Sequence, residues 1–204
     1  QTQQASISSP FERELADAVA KATTARTAAI LLEQSSGTLS KALEQLLPLG
    51  QEALIEQLAE LLRWSDFGLH LTQPWRVVLA GRPNVGKSTL INALLGYTRA
   101  IVFDQPGTTR DVVTGGTAFE GWPFQLADTA GIRSTDDELE QAGIKRARST
   151  VESADLVCLL VDTSQPRAPA DHALLDELTS PTNQPNKRPP IVVAHKADLP
   201  SQWN

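Results

Sequence analysis

The 204-residue chain has no methionine, not even at position 1, a single cysteine and no long apolar run. The missing methionine, and an end close behind the last motif, read as a fragment of a longer protein or as a sequence from which residues are missing. One cysteine supports no disulfide framework; Cys158 lies in an apolar run, reads as a core residue and fits a reducing cytoplasm. No stretch reaches the roughly 18 apolar residues of a membrane span, and the N-terminus lacks the charged-then-apolar order of a signal peptide. Lys and Arg form no run and the net charge is −6, so strong nonspecific nucleic-acid binding is not indicated. Apolar content is an ordinary 41%, enough for one medium domain with a packed core and a smaller element beside it.

The centre of the sequence is Gly81-Arg82-Pro83-Asn84-Val85-Gly86-Lys87-Ser88, which fits G-x-x-x-x-G-K-[ST]. Residues 76–80 run into it as a buried strand, and Thr89 to Leu95 leave it as a helix with a Leu/Ile face. Gly81 and Gly86 let the backbone curl so that successive N–H groups point at phosphate oxygens. The helix N-terminus adds partial positive charge. Lys87 reaches the β- and γ-phosphates, and the Ser88 hydroxyl suits Mg²⁺.

Ahead of this loop, residues 9–63 read as helices of a bundle. Ser9, Pro10 and Glu12 make a capped start, and apolar residues then recur near helical period as far as Ser35-Ser36-Gly37. Residues 39–47 form a second helix, and Leu54, Ile55, Leu58, Leu61 and Leu62 form one face of a third, read as core. Trp64 to Trp75 reads as a linker. Behind the loop, strands over 112–119, 122–127, 156–161 and 191–194, the last two read as buried, accompany helices over 138–151 and 169–178, with a Pro/Asn loop over 179–190. Such alternation predicts a parallel sheet.

Further chemistry follows in series. Asp128-Thr129-Ala130-Gly131 ends a strand, where the aspartate can hold Mg²⁺ through water and the Gly131 N–H can meet the γ-phosphate. Gly107-Thr108-Thr109-Arg110-Asp111 follows the first helix, and such a loop can bring a threonine hydroxyl to Mg²⁺. Each tetrapeptide alone could be a set of turn formers; the order behind a phosphate loop is what carries the reading. His195-Lys196-Ala197-Asp198 ends the last strand. A carboxylate there can accept from the guanine N1–H and 2-amino group, a donor pair that adenine lacks, while the Lys196 stem lies along the base.

These four motifs resemble those of translation-factor-class GTPases, and most closely the tRNA-modification GTPase family MnmE, also called TrmE. Pro106 to Val112 resembles that family's switch region. Asp128 to Arg133, Asp137 to Glu140, Gly143 to Ala147 and Ala154-Asp155 resemble its segment after the second switch. Ala25 to Ala29 and Gly37 to Ser40 resemble the helices before its GTPase domain. The resemblance spans roughly residues 12–200. It implies an α/β fold: a Ras-like P-loop GTPase domain with a parallel-rich sheet over 76–204, incomplete at its C-terminus, behind a helical element and linker over 1–75. It also implies GTP and GDP as ligands, Mg²⁺ on Ser88, Thr109 and Asp128, and K⁺ on Asn84; the alternative for Asn84 is that it only shapes the loop. The nucleotide-binding set is Gly81, Asn84, Val85, Gly86, Lys87, Ser88, Thr89, Thr108, Thr109, Asp128, Thr129, Ala130, Gly131, His195, Lys196 and Asp198, with Lys87, Thr109 and Gly131 nearest the chemistry. Implied partners are a second GTPase domain across the nucleotide face, a tRNA-modification partner protein and tRNA, with no membrane, in the cytoplasm.

The chain departs from the family at named positions. Ile132 follows Gly131, so the water-positioning glutamine of Ras-type enzymes is absent, and Ser134 stands where the family has its catalytic glutamate. Asp136, Asp137 and Glu138 are close, at different spacing. His195 stands where the family usually has asparagine, which tethers the phosphate loop and contacts the base. The stretch from Gly37 to the phosphate loop is short, and the folate-binding domain, the final strand and helix and the C-terminal cysteine motif are not seen, as expected of a fragment or of a divergent relative without the tRNA role. Two other readings stay open: a nucleotide-dependent switch or scaffold with little hydrolysis, and a ribosome-assembly GTPase of the Era or Der type.

Overall fold

The computed structural model describes residues 10–97, 114–128, 150–179 and 189–203. The chain divides into two compact units, Gln1–Pro74 with Phe119–Pro123, and Trp75–Ala118 with Phe124–Asn204.

The first unit holds α1 (Pro10–Lys21), α2 (Ala25–Glu33), a π turn (Gln34–Thr38), α3 (Leu39–Glu44), α4 (Gln51–Leu62) and α5 (Ser65–Leu69). The apolar spacing predicts one helix to Ser35, yet the structure breaks it before Ala25. Thr24 is extended, its hydroxyl accepts the Thr27 N–H at 3.2 Å, and its own N–H donates to the Thr27 hydroxyl at 3.3 Å. This reciprocal cap offers the backbone a local alternative to continuing the helix. Ser35-Ser36-Gly37 does not end a helix as expected: the chain passes through the π turn, with Gly37 at φ 105°, into α3. α3 itself stops at Glu44, before the expected 47, and the expected linker contains α5. Ser9 lies outside the described residues, and so does its pairing with Glu12.

The leucine face of α4 was expected in the core. Instead Ile55, Leu58, Leu61 and Leu62 are exposed and only Leu54 is half-buried. A helix twelve residues long cannot bury its own stripe; that takes a second apolar surface, and no described residue covers it. The well-packed part of this unit is elsewhere. Thr27 and Leu31 are buried on α2. The Thr24 hydroxyl donates to the Gly121 carbonyl at 2.6 Å, Arg26 donates to the Glu120 carbonyl at 2.8 Å, and the Arg26 guanidinium lies 4.6 Å over the Trp122 ring. Phe67 meets Trp122 edge to face at 5.1 Å. Glu120 and Gly121 have φ of 49° and 81°, the two left-handed residues of a tight hairpin turn.

The second unit holds β1 (Trp75–Ala80), α6 (Lys87–Tyr97), β2 (Thr114–Phe119), β3 (Trp122–Asp128), β4 (Leu156–Asp162), α7 (Pro169–Thr179) and β5 (Ile191–His195), the β2–β3 tip alone belonging to the first unit. The sheet order is β2-β3-β1-β4-β5. β1 pairs in parallel with β3 and with β4, and β4 in parallel with β5. β2 joins β3 through two residues, a connection that only an antiparallel pair allows. Side chains alternate along the central strands. Val77, Leu79, Leu126 and Leu160 join Val85 and Ile91 of the first loop and helix on one face. Val78, Ala80, Ala127, Leu159 and Val161 join Leu178 of α7 on the other. A strand buried on both faces must be apolar at every position, which is why these runs are continuous. The parallel-rich sheet expected from sequence is the one observed. Residues 112–113, most of the helix expected over 138–151 and most of the loop over 179–190 lie outside the described residues.

Candidate nucleotide site

The strand order changes direction at β1, with β3 on one side and β4 on the other. In open α/β sheets that switch point, outside the carboxyl ends of the strands, is where ligands bind. The glycine loop sits there because β1 ends there. Gly81 has φ 145°, and a Cβ on it would lie 2.6 Å from the Leu160 carbonyl oxygen; Gly86 has φ 105°, and a Cβ on it would lie 2.6 Å from His195 Cε1. Asn84 is left-handed at φ 61°, a conformation that asparagine tolerates better than most residues. Val85 turns inward, 4% exposed, and anchors the loop to the core.

Lys87 opens α6 and is 4% exposed. Its Nζ donates to the Gly81 and Arg82 carbonyls, both at 2.8 Å. The ammonium is thus held inside the ring of backbone that precedes it, beside a helix N-terminus that favours anions. Ser88 Oγ donates to Asp128 Oδ2 at 2.6 Å, and Asp128 is 1% exposed. The β1–β3 register, Leu79 beside Asp128, brings the carboxylate to this helix start. A hydroxyl and a carboxylate side by side are hard oxygen donors that fit Mg²⁺, an ion usually held by one or two protein oxygens with substrate phosphates. Thr89 is exposed one residue further along α6, and Asn84 is exposed at the loop tip.

β5 delivers the third set. The His195 ring lies against Gly86, its carbonyl accepts from both the N–H and the hydroxyl of Thr163 at 3.2 and 3.1 Å, and its Nδ1 is buried without a hydrogen-bond partner. Lys196 is left-handed at φ 58°. That conformation costs about 1–3 kcal/mol for a side-chain-bearing residue and persists only where the surroundings impose it. Here Lys196 Nζ meets Asp162 Oδ2 at 2.6 Å, and Asp162 Oδ1 accepts from the Ser164 N–H and hydroxyl at 3.0 and 2.6 Å. Asp198 is exposed just beyond, in the turn closed by the Leu199 N–H on the Lys196 carbonyl at 3.0 Å.

Lys196, then the Ser164 hydroxyl, hold the Asp162 carboxyl down at about 2 against the usual 3.8. The unfolded chain therefore binds the extra proton first, and the stability this carboxylate contributes is complete above pH 4 and is lost as pH falls from about 4 to about 2. Urea midpoints taken at pH 5, 3.5 and 2.5 should fall less steeply in Asp162→Asn than in the native chain. Cys158, by contrast, is a half-buried thiol whose pKa burial raises, so it packs rather than reacts.

Residues 76–196 match the family described as 50S ribosome-binding GTPase. The chain belongs to this GTPase family. It is 47% identical over 165 residues to the tRNA modification GTPase MnmE of Synechococcus sp. (strain CC9605), a match covering 78% of this chain and 35% of that protein. It is 42% identical over 154 residues to the MnmE of Thermotoga maritima, covering 75% of this chain and 33% of that protein. A variant of Aquifex aeolicus Era bound to GDP and aluminium fluoride is 33% identical, covers 60% of this chain and 40% of that one, and superposes with a TM-score of 0.46. The chain spans about a third of the length of the MnmE proteins it matches. As a GTPase domain of this family it binds GTP and GDP.

For this GTPase domain the structure brings together Gly81, Val85, Gly86, Lys87, Ser88 and Asp128, and sets His195 against the same loop. Thr108, Thr109, Thr129, Ala130, Gly131 and Ser134 lie outside the described residues. Asp162, Thr163 and Ser164 were not singled out from sequence. A signal for them existed: an apolar run that ends in Asp-Thr-Ser at the carboxyl end of a central strand, the place where sites of such sheets lie.

Proposed function

We propose that this chain hydrolyses GTP to GDP and phosphate and serves as the GTPase module, residues 76–204 behind a helical element over 1–75, of a cytoplasmic tRNA-modification protein. The observation that carries it is the cradle around Lys87, with its ammonium on two loop carbonyls and Ser88 beside Asp128. Water attacks the γ-phosphorus in line, the bond to the bridging oxygen breaks, and GDP leaves. Lys87 and the loop amides stabilise charge on the β- and γ-oxygens. Mg²⁺, when bound, neutralises phosphate charge; Ser88 and Thr109 ligate it, and Asp128 supports it through water. The Gly131 N–H meets the γ-phosphate. Asp198 accepts from the guanine N1–H and 2-amino group, with Lys196 along the base. Asn84 would hold K⁺ through its side-chain oxygen, and the ion would supply the charge stabilisation of an arginine finger where two GTPase domains face each other. The MnmE names of the relatives support a partner protein and tRNA as the wider assembly.

The test is the hydrolysis rate in KCl and in NaCl at equal ionic strength over a range of protein concentrations. A K⁺-specific rate that rises with concentration is the expected result. A second reading, a switch or scaffold that binds nucleotide without turning it over, draws on Ser134, a side chain that cannot accept a proton as a glutamate does. A flat, slow rate in both salts with nucleotide still bound would select that reading.

A further inference from the structure

The end of β4 has no role in the reading above, yet it grips the segment that reads the base. We propose that Asp162 is a positioning residue for guanine recognition, acting through Lys196 and through the backbone that carries Asp198. This rests on the reading of Asp198 as the guanine-selecting group.

Asp162 lies directly beside His195 in the β4–β5 ladder. Its two carboxylate oxygens are divided between two tasks. Oδ1 takes both the N–H and the hydroxyl of Ser164, which fixes the plane of the carboxylate; Oδ2 takes Lys196 Nζ at 2.6 Å. The Asp162 side chain is only 12% exposed and Lys196 35%, so the pair is shielded on one side and open on the other. Thr163, next in the chain, donates twice to the His195 carbonyl and receives the Gln202 N–H on its own carbonyl at 2.8 Å. Three consecutive residues therefore hold the segment on both sides of Lys196, the residue with the left-handed backbone. Nothing in the apolar core requires a charge here, and an apolar pair of similar size could stabilise this position as well as an ion pair does. What it supplies is a fixed direction for the Lys196 stem and for the turn that presents Asp198. With the pair lost, Lys196 is free to relax, and the discrimination resting on that turn relaxes with it.

The experiment measures binding of GTP and ITP to the full chain by calorimetry, for the native protein, Asp162→Asn, Lys196→Met and the double variant. ITP lacks the 2-amino group, so the GTP-to-ITP ratio reports how well the base-reading carboxylate is placed. Asp162→Asn is expected to weaken GTP about tenfold and ITP less, with the ratio contracting and kcat at saturating GTP within about twofold of native. The double variant should bind GTP no worse than Lys196→Met alone, since residues acting through one contact do not add. Unchanged GTP and ITP affinities in Asp162→Asn, or losses that add in the double variant, would overturn the proposal. Ser164→Ala, which keeps the charge and removes one of the two hydrogen bonds that fix the carboxylate, gives an independent reading if Asp162→Asn fails to fold: a ratio contracted by about threefold supports the proposal, and a native ratio counts against it. Asp198→Ala separates this from the parent reading, because a native GTP-to-ITP ratio there means the base is read elsewhere, whatever Asp162 does.

Discussion

Lys87→Ala should lower GTP affinity by at least about thirtyfold and abolish measurable hydrolysis, because on the proposed reading this buried charged donor meets the phosphates and carries several kilocalories per mole that no neighbour can replace. The side chain is 4% exposed and its ammonium already sits on the Gly81 and Arg82 carbonyls. Without it, both carbonyls keep only water as a partner, and they face a triphosphate as unneutralised negative dipoles. Two opposing effects act on the protein itself. A buried lysine is costly, so its removal relieves desolvation; the loop loses two charge-assisted hydrogen bonds of roughly 1.5–3 kcal/mol each. The melting temperature should therefore move little while binding collapses. Calorimetry with GTP and GDP, alongside a thermal melt, separates the two. Native-like GTP affinity in a folded variant would remove Lys87 from the phosphate site and with it the proposed reaction.

The GTPase half of this molecule was legible because its signals are local and agree with one another. β1, the glycine loop and α6 are one continuous stretch, and the loop needs left-handed residues at fixed places, so only glycine or asparagine can occupy them. Strands buried on both faces are apolar at every position, and that made β4 visible without alternation. The same apolar run misleads at β5, expected to be buried: Ile191 and Val192 are about half exposed, because an edge strand pairs on one side only and no described residue covers these two side chains. The helical half was read less well, for a physical reason. Hydrophobic period reports which face is apolar, not whether the chain stays helical or what covers the face. The period runs across Thr24 undisturbed, but a hydroxyl that caps the Thr27 N–H, and is itself used by the Gly121 carbonyl about a hundred residues away, ends the helix there. The α4 leucines carry the same period as a core stripe and are exposed. Asp162 escaped notice because its partners, Ser164 and Lys196, are one local and one distant, and only the β4–β5 register joins them.

Two glycines of the loop are expected to respond differently to the same added methyl group, and the difference tests the architecture. Gly81→Ala should cost roughly 3 kcal/mol, from overpacking and a left-handed backbone that alanine resists. In a thermal melt that is a fall of about 9 °C for a domain of this size. The clash is with the Leu160 carbonyl oxygen, which belongs to a fully buried residue in the middle of β4, paired on the β5 side with Val193. Main chain fixed on that ladder cannot step aside, so no single side-chain change should restore the loss. Gly86→Ala meets the His195 ring instead, at 2.6 Å from Cε1 and 3.0 Å from Nδ1. Its backbone, at φ 105°, is also strained by a Cβ. Here truncation of the obstacle is available: in a His195→Ala background the steric share of the Gly86→Ala penalty should vanish and the backbone share, about 1–2 kcal/mol, should remain. A double-mutant cycle should thus show strong coupling for Gly86 with His195 and near additivity for Gly81 with His195. Equal coupling of both glycines to His195, or none for Gly86, would mean that the β5 end does not brace the phosphate loop through its histidine ring.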